Sequence, residues 1–446
     1  MTSNYSTRPS TGQTVIFSVP AVWTAWFISR AVLGLLILAN HSPRGDVAYY
    51  FFGLFGDDPT TMTEYPHQGT WPVEVLGWII GERLDAFYIA FVIMCVLFDA
   101  LFLALVLRNH NGQKRVFAAG WLWALFGTAA GQVFYMRLDI FPGLTVAASA
   151  AAMARWPYLA SALLAFATTM KLWPGVLAAG LVGRFSSPRS WGRLASFFAA
   201  GIGLCAVTFF TNGLERLTSP LTYQDVRGLQ IESVPATHLV FQSYFSPEKW
   251  DISYAASKSF EIAGPGVEAA IAFSDFLMLG TVLFALGWAL YRFIVGGWTP
   301  RTTVAFFTVM VALLLVSNKI FSPQYIIWLG PLLVVAIRQP WTYDHNRFRR
   351  IVTIILGFIG GLAVIAAALG TYIFPFVYFD IVEARGNFLP YAALALRNAL
   401  VGVIALLGIL WLVFEVRAEK LHQRITHRAK TRMLADAPTA HTTING

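Results

Sequence analysis

The stretch 41–83 holds six carboxylates (Asp46, Asp57, Asp58, Glu64, Glu74 and Glu82) against two basic residues, Arg44 and Arg83. Asp46 lies in HSPRGDVAYY, directly ahead of an apolar, aromatic run, VAYYFFGLF (Val47–Phe55). A carboxylate there can act as a general base and take a proton from an acceptor hydroxyl. It can equally cap the helix that the run predicts, because side-chain oxygens at a helix start satisfy free N–H groups. Glu64, between Met62 and Tyr65-Pro66, is a second carboxylate in apolar company and a candidate for holding a polar substrate. Asp57 and Asp58 sit in Gly-Asp-Asp-Pro, which reads as a turn.

Cations recur within otherwise apolar sequence. Arg137 and Asp139, in YMRLDIFPG, either pair with each other where two helices end or present a guanidinium to a phosphate, with Asp139 orienting it. Lys171, in ATTMKLWPG, must face a cavity, meet a partner or snorkel, since an isolated cation in hydrocarbon is costly. The polar break SNKIFSPQYIIW carries Lys319, Ser322, Gln324 and Tyr325, which suit a head group or a sugar. Arg227 and Glu232, in RGLQIES, are further candidate substrate contacts. His238 is alone and lacks metal-ligand spacing, so no metal or other cofactor is expected. Tyr49, Tyr65 and Trp71 can stack on sugar faces, although interfacial aromatic belts account for such residues too. No GxxxxGK[ST], HExxH or nucleophile elbow is present, so ATP-driven transport and zinc proteolysis are not supported.

What must position these residues is a membrane protein. Hydrophobic residues make up 57% of the 446 and charged residues 12%, about half the charge of a soluble protein. Apolar runs of spanning length predict an all-α polytopic fold with crossings near 20–40, 84–107, 116–136, 194–211, 263–292, 302–318, 325–338, 351–373 and 393–414. Segment 140–183 breaks at Pro157 and Pro174 and cannot be one straight helix, which would be about 66 Å long. The net charge of +9 gathers in short clusters: Arg108, Lys114 and Arg115; Arg184, Arg189 and Arg193; Arg338, Arg347, Arg349 and Arg350; and Arg417 to Arg432. Placing all four in the cytoplasm follows the positive-inside rule. An odd number of crossings between Asp139 and Arg184 is then needed. Three short helices near 140–153, 157–170 and 173–183 supply it, for 12 crossings with both ends inside. The expected organisation is a cytoplasmic segment 1–19, one transmembrane domain 20–416 and a basic tail 417–446 against inner-leaflet lipid. The outer face receives loop 41–83, with surface helices at Val47–Phe55 and Pro72–Ile80, and loops 212–262, 319–324 and 374–392. Nucleic acid is a poor partner for charge distributed in this way. Cys95 and Cys205 fall inside apolar runs, which supports neither a disulfide framework nor a zinc site.

The order of these stretches resembles that of the GT-C glycosyltransferases and, within them, glycosyltransferase family 87, which includes actinobacterial polyprenyl-phosphate-mannose-dependent mannosyltransferases. The resemblance covers most of the chain and rests on Gly45-Asp46-Val47-Ala48-Tyr49, Glu64-Tyr65-Pro66, Arg137-Leu138-Asp139, Lys171-Leu172-Trp173-Pro174, Arg227–Ser233 and Ser322-Pro323-Gln324-Tyr325. It implies a GT-C-like fold in the cell membrane with its active site on the extracytoplasmic face. It implies a polyprenyl-phosphate sugar donor, most simply a mannose donor, and a glycolipid or lipid-linked glycan acceptor. Asp46 would be the base of an inverting transfer, and no cofactor is implied. Arg137, Lys171, Lys319 and Gln324 are the candidates for the donor phosphate, and Glu64, Tyr65, Tyr49, Asp139, Arg227, Glu232 and Tyr325 for substrate contacts. Relatives in that family carry histidines where this chain has Gln324 and Tyr325, so the substrate itself is not carried over. A lipid carrier or flippase without chemistry is the alternative. Transporters tend to show polar breaks in matched positions of two halves, whereas the acidic material here gathers on one face.

Overall fold

A computed structural model describes residues 15–40, 44–58, 60–225, 227–341 and 346–435. The end segments 1–14 and 436–446, and residues 41–43 of the first expected loop, lie outside the described residues. Helix α1 (Val19–Ala39) starts at Ser18, whose hydroxyl accepts from the Ala21 N–H, with Pro20 in the first turn. Two shorter helices follow, α2 (Arg44–Phe55) and α3 (His67–Ile80). Then come α4 (Leu84–Leu107), α5 (Lys114–Ala129), the one-turn α6 (Val133–Met136), α7 (Ile140–Ala152), α8 (Pro157–Met170) and a 3-10 helix, Trp173–Leu181. Helix α9 (Pro188–Asp225) is broken at Gly213, where φ is 81°, a left-handed conformation that glycine adopts without steric penalty. Beyond it lie α10 (Thr237–Ser243), the antiparallel hairpin β1 (Asp251–Tyr254) and β2 (Phe260–Ala263), and α11 (Val267–Val295). Pro300 and a reciprocal Thr299–Thr302 capping box start α12 (Pro300–Ser317). The chain ends in a 3-10 helix (Pro323–Trp328), α13 (Leu329–Arg338), α14 (Asn346–Thr371), a π-helical turn (Tyr372–Val377), α15 (Tyr378–Val382) and α16 (Phe388–Ala435).

The protein is an all-α, multi-pass membrane protein. Among the described residues seven helices are long and apolar enough to cross a bilayer: Val19–Ala39, Leu84–Leu107, Pro188–Tyr223, Val267–Val295, Pro300–Ser317, Arg347–Val382 and Phe388–Thr426. Five expected crossings take another form, among them 325–338, which is a 3-10 helix followed by the ten-residue α13. Segment 140–183 folds as helices of 13 and 14 residues and a nine-residue 3-10 helix, each roughly 20 Å or shorter and less than the roughly 30 Å of hydrocarbon. Helix α7 is buried along most of its length and packs on α8, which leans on α9. The start of α7 is enclosed by protein, whereas Trp156, Tyr158 and Leu159 at the α7–α8 junction are 55, 48 and 53% exposed. The expected crossing 116–136 likewise stops at Ala129 and turns into α6.

Charge separates the two ends of the bundle. Arg338 donates to the Val106 and Arg108 carbonyls, and Arg301 to those of Gln339 and Pro340. Arg115 feels the fields of Arg301, Arg338 and Arg349. Arg301–Glu415 and Arg292–Glu419 tie the start of the basic tail to this same end. The opposite end carries α2, loop 60–66, the β-hairpin and residues 318–328.

One buried polar knot holds the entry helices together. Asp99, fully buried in α4, accepts from Arg30 Nε at 2.7 Å and from the indoles of Trp26 (3.0 Å) and Trp123 (2.6 Å). The Tyr135 hydroxyl also donates to it. The knot joins α1, α4, α5 and α6, and α6 ends one residue before Arg137.

Candidate functional site

Helix α2 docks on α4 through Tyr50 against Phe91 and Phe51 against Phe87, with ring centroids 5.8 and 5.5 Å apart. This packing buries Val47, Tyr50 and Phe51. A helical period of 3.6 then turns Asp46 toward Arg137 and Tyr49 toward Glu64. Asp46 lies in the first turn of α2, inside the helix, so it is not the cap residue that the sequence permitted. Its carboxylate is 39% exposed and meets Arg137 Nη2 at 2.6 Å. The cleft wall dehydrates it and raises its pKa above the ordinary carboxylate range; Arg137 opposes that shift and Asp139 adds to it.

The ion pairs differ from the local pairing that YMRLDIFPG suggests. Arg137 pairs with Asp46, and Asp139 pairs with Lys171 at 2.5 Å. Arg137 also donates to the Met136 carbonyl and lies over the Phe374 ring. Asp139 accepts from the Trp328 indole at 2.8 Å. Lys171 is caged by aromatic rings, its ammonium 4.7 Å from the centre of Tyr325, 5.2 Å from Trp328 and 5.6 Å from Tyr65. Trp328 stacks between Tyr325 and Trp173, at 4.3 and 4.8 Å. Glycine permits the close approach beside this cage: a Cβ at Gly69, in the first turn of α3, would overlap the Met170 carbonyl next to Lys171. Asp139 Oδ2 and Trp173 Nε1 are buried without a hydrogen-bond partner among the described residues, so the cage presents polar capacity that the protein does not fill.

A third group closes the other side. The Tyr49 hydroxyl donates to Glu64 at 3.0 Å and accepts from the Met62 N–H and from Lys258 Nζ, at 2.7 and 3.1 Å. Burial raises the Glu64 pKa, and hydrogen bonds from its own backbone N–H and from Tyr49, with the charges of Lys258 and Arg227, partly offset it. Lys258 stands in the turn between β1 and β2, and that turn is tied down by the Tyr223 hydroxyl on the Ser257 carbonyl. Arg227 stacks over the Tyr223 ring at 4.7 Å and also interacts with the Tyr325 phenol. No carboxylate among the described residues forms an ion pair with it, and its buried Nε has no acceptor.

The structure thus brings together Asp46, Tyr49, Glu64, Tyr65, Arg137, Asp139, Lys171, Arg227 and Tyr325. Glu232 is held differently: it is 1% exposed and pairs with the buried Arg397 at 2.6 Å, with Arg137 reaching it only through its field. That pair, with Asn398 bonded to the Ser233 carbonyl and to Thr237, pins segment 230–237 to α16 as structure. Lys319 contributes its backbone carbonyl, which accepts from Gln230 N; its ammonium and the Gln324 amide make no polar contact to the cleft among the described residues. Gln230 instead organises this break by accepting from Phe321 N and donating to Ser322. Sequence reasoning missed Lys258, Tyr223 and Tyr254. Tyr223 stands near the end of α9, while the hairpin carries Tyr254 and Lys258 back toward α2; none of the three sits in a motif. Trp173 and Trp328 stood inside the motifs and were legible there as aromatics flanking Lys171 and Tyr325.

The fold and this group of residues define a polytopic helical membrane protein with a charged, aromatic-lined cluster at the end away from its basic loops. Comparisons with protein-family models, with curated proteins and with solved structures found no match for the chain.

Proposed function

We propose that the protein is an integral membrane glycosyltransferase of GT-C type that moves a sugar, most simply mannose, from a polyprenyl-phosphate donor to a hydroxyl of a glycolipid or lipid-linked glycan. The observation that carries this reading is the convergence of a partly exposed carboxylate, Asp46, with three cleft cations and a stacked aromatic wall at the end opposite the basic loops. By the positive-inside rule that end is extracytoplasmic. In the transfer the acceptor oxygen attacks the anomeric carbon from the face opposite the phosphate. Its proton passes to Asp46. The bond from the anomeric carbon to the phosphate oxygen breaks, and the electron pair leaves with the polyprenyl phosphate, inverting the centre. A lipid phosphate leaves readily, so the protein needs to hold it, align the hydroxyl and supply a base.

Arg227 is the first anchor for that phosphate. Arg137 and Lys171 already face carboxylates, whereas Arg227 faces the Tyr223 and Tyr325 side chains and forms no ion pair with a carboxylate among the described residues. Hydrogen bonds to charged groups contribute about 1.5–3 kcal/mol. Arg227→Ala is therefore expected to raise the KM for the lipid donor by about 10- to 100-fold, with kcat changing much less. An unchanged KM would remove Arg227 from the phosphate site.

The pH profile supplies a second check. The raised pKa of Asp46 keeps its carboxyl protonated, and unable to accept a proton, to a higher pH than an ordinary aspartate. Activity should therefore rise with pH through a limb lying above the usual aspartate range. A limb at the usual aspartate value would contradict the assignment of the base.

The direct test supplies purified protein in nanodiscs with radiolabelled polyprenyl-phosphate mannose, then glucose and arabinose donors, and a membrane lipid extract. Label entering a new glycolipid supports the reading. No transfer from any donor, with protein-dependent lipid scrambling, would turn it to a carrier.

A further inference from the structure

The proposed base and a cleft cation are bound to each other. Asp46 Oδ2 lies 2.6 Å from Arg137 Nη2. An acceptor hydroxyl needs a carboxylate oxygen free to take its proton, and a carboxylate bound to a guanidinium is a weaker base. Arg137 is buried, at 5% exposure. Withdrawing Asp46 with nothing in its place takes from the buried Arg137 the carboxylate it pairs with, which is unfavourable. An anion that takes the place of Asp46 on Arg137 offsets that loss.

We propose that the pair is a latch, opened by the donor: the lipid phosphate takes Arg137 from Asp46, and this exchange releases the base only when a donor is present. The geometry suits the exchange. Asp46 is on the exposed side of the pair and Arg137 on the buried side, so an anion entering the cleft meets the guanidinium after displacing the carboxylate. A phosphate suits the guanidinium fork at least as well as a carboxylate does. As the sugar departs, the phosphate changes from a monoanionic diester to a more highly charged monoester. Arg137 therefore holds it most tightly as it leaves. Asp46 swings to the acceptor as the donor binds, so donor binds before acceptor. The latch rests on the transferase reading above and adds a regulation to the same site.

The latch makes Asp46 a competitor of the phosphate. Asp46→Asn, which removes the proposed base, should tighten equilibrium binding of polyprenyl monophosphate in nanodiscs by about tenfold, a size usual for groups that share a partner. In an Arg137→Gln background the same substitution should change affinity by no more than about twofold, because the shared partner is gone. Glu64→Gln removes an equal charge from the same cleft without touching Arg137, and its gain should be small. A direct readout avoids any variant at Arg137: adding polyprenyl monophosphate to the wild type should shift a carboxylate stretch in the infrared difference spectrum, and the Asp46→Asn protein should lack that band. Equal affinity in wild type and Asp46→Asn would overturn the latch and leave the transferase reading standing. A gain that persists in the Arg137→Gln background, an equal gain in Glu64→Gln, or a missing infrared shift would do the same. No binding of polyprenyl monophosphate by either wild type or Asp46→Asn would remove the transferase reading and the latch together.

Discussion

Asp46→Asn is expected to lower kcat by about 100- to 10,000-fold, the range over which a positioned base contributes, and to leave expression and unfolding stability close to those of the wild type. The side chain is 39% exposed and its partner Arg137 reaches it from within the wall. Asparagine keeps the shape and can still accept a hydrogen bond from the guanidinium. The KM for the donor should fall as kcat collapses, because the phosphate no longer competes with a carboxylate. A merely structural aspartate would instead lower folded yield and leave the specific activity of the surviving protein intact. Initial rates on purified, monodisperse protein, beside a thermal unfolding curve, separate the two. Retention of more than about a tenth of kcat would remove Asp46 as the base.

Asp99→Leu should be the most damaging substitution to the fold. It removes the one carboxylate that accepts from Arg30, Trp26, Trp123 and Tyr135. Arg30 is 8% exposed, and among the described residues no other carboxylate is paired with it. It would remain as an uncompensated buried charge with two indole N–H groups beside it. Breaking a buried pair in this way costs about 3–5 kcal/mol. The loss is to be read as a shift in the equilibrium unfolding curve in mixed detergent. Transfer should fall too, because Tyr135 holds α6 and α6 delivers Arg137 to the cleft. Asp99→Asn, which keeps an acceptor for part of the network, should lie between. Unfolding of Asp99→Leu within about 1 kcal/mol of the wild type would show that lipid or water can satisfy Arg30.

Composition and local pattern dictate the solvent this protein folds in. Apolar runs and clusters of like charge are local properties, and a bilayer reads them locally, so the long helices and the end that gathers the basic loops followed directly. The sequence also named most of the cleft. Asp46, Glu64, Tyr65, Arg137, Lys171 and Tyr325 are polar groups in apolar company, where each must have a partner or a use. Partner identity needed the tertiary structure. Arg137 and Asp139 are two residues apart, yet each pairs with a residue far along the chain, because α6 ends and turns Arg137 toward α2 while Asp139 faces the aromatic cage. Glu232 looked like a cleft carboxylate in its motif, and the fold places it under Arg397 of α16. Lys258 has no signal in its neighbourhood; the hairpin alone carries it to Tyr49. The breaks at Pro157 and Pro174 showed that segment 140–183 could not be one helix. That its pieces pack against one another and against α9 depends on tertiary contacts, which the breaks alone do not give. Local sequence sets where a charge is costly, and packing between distant segments decides which opposite charge relieves it.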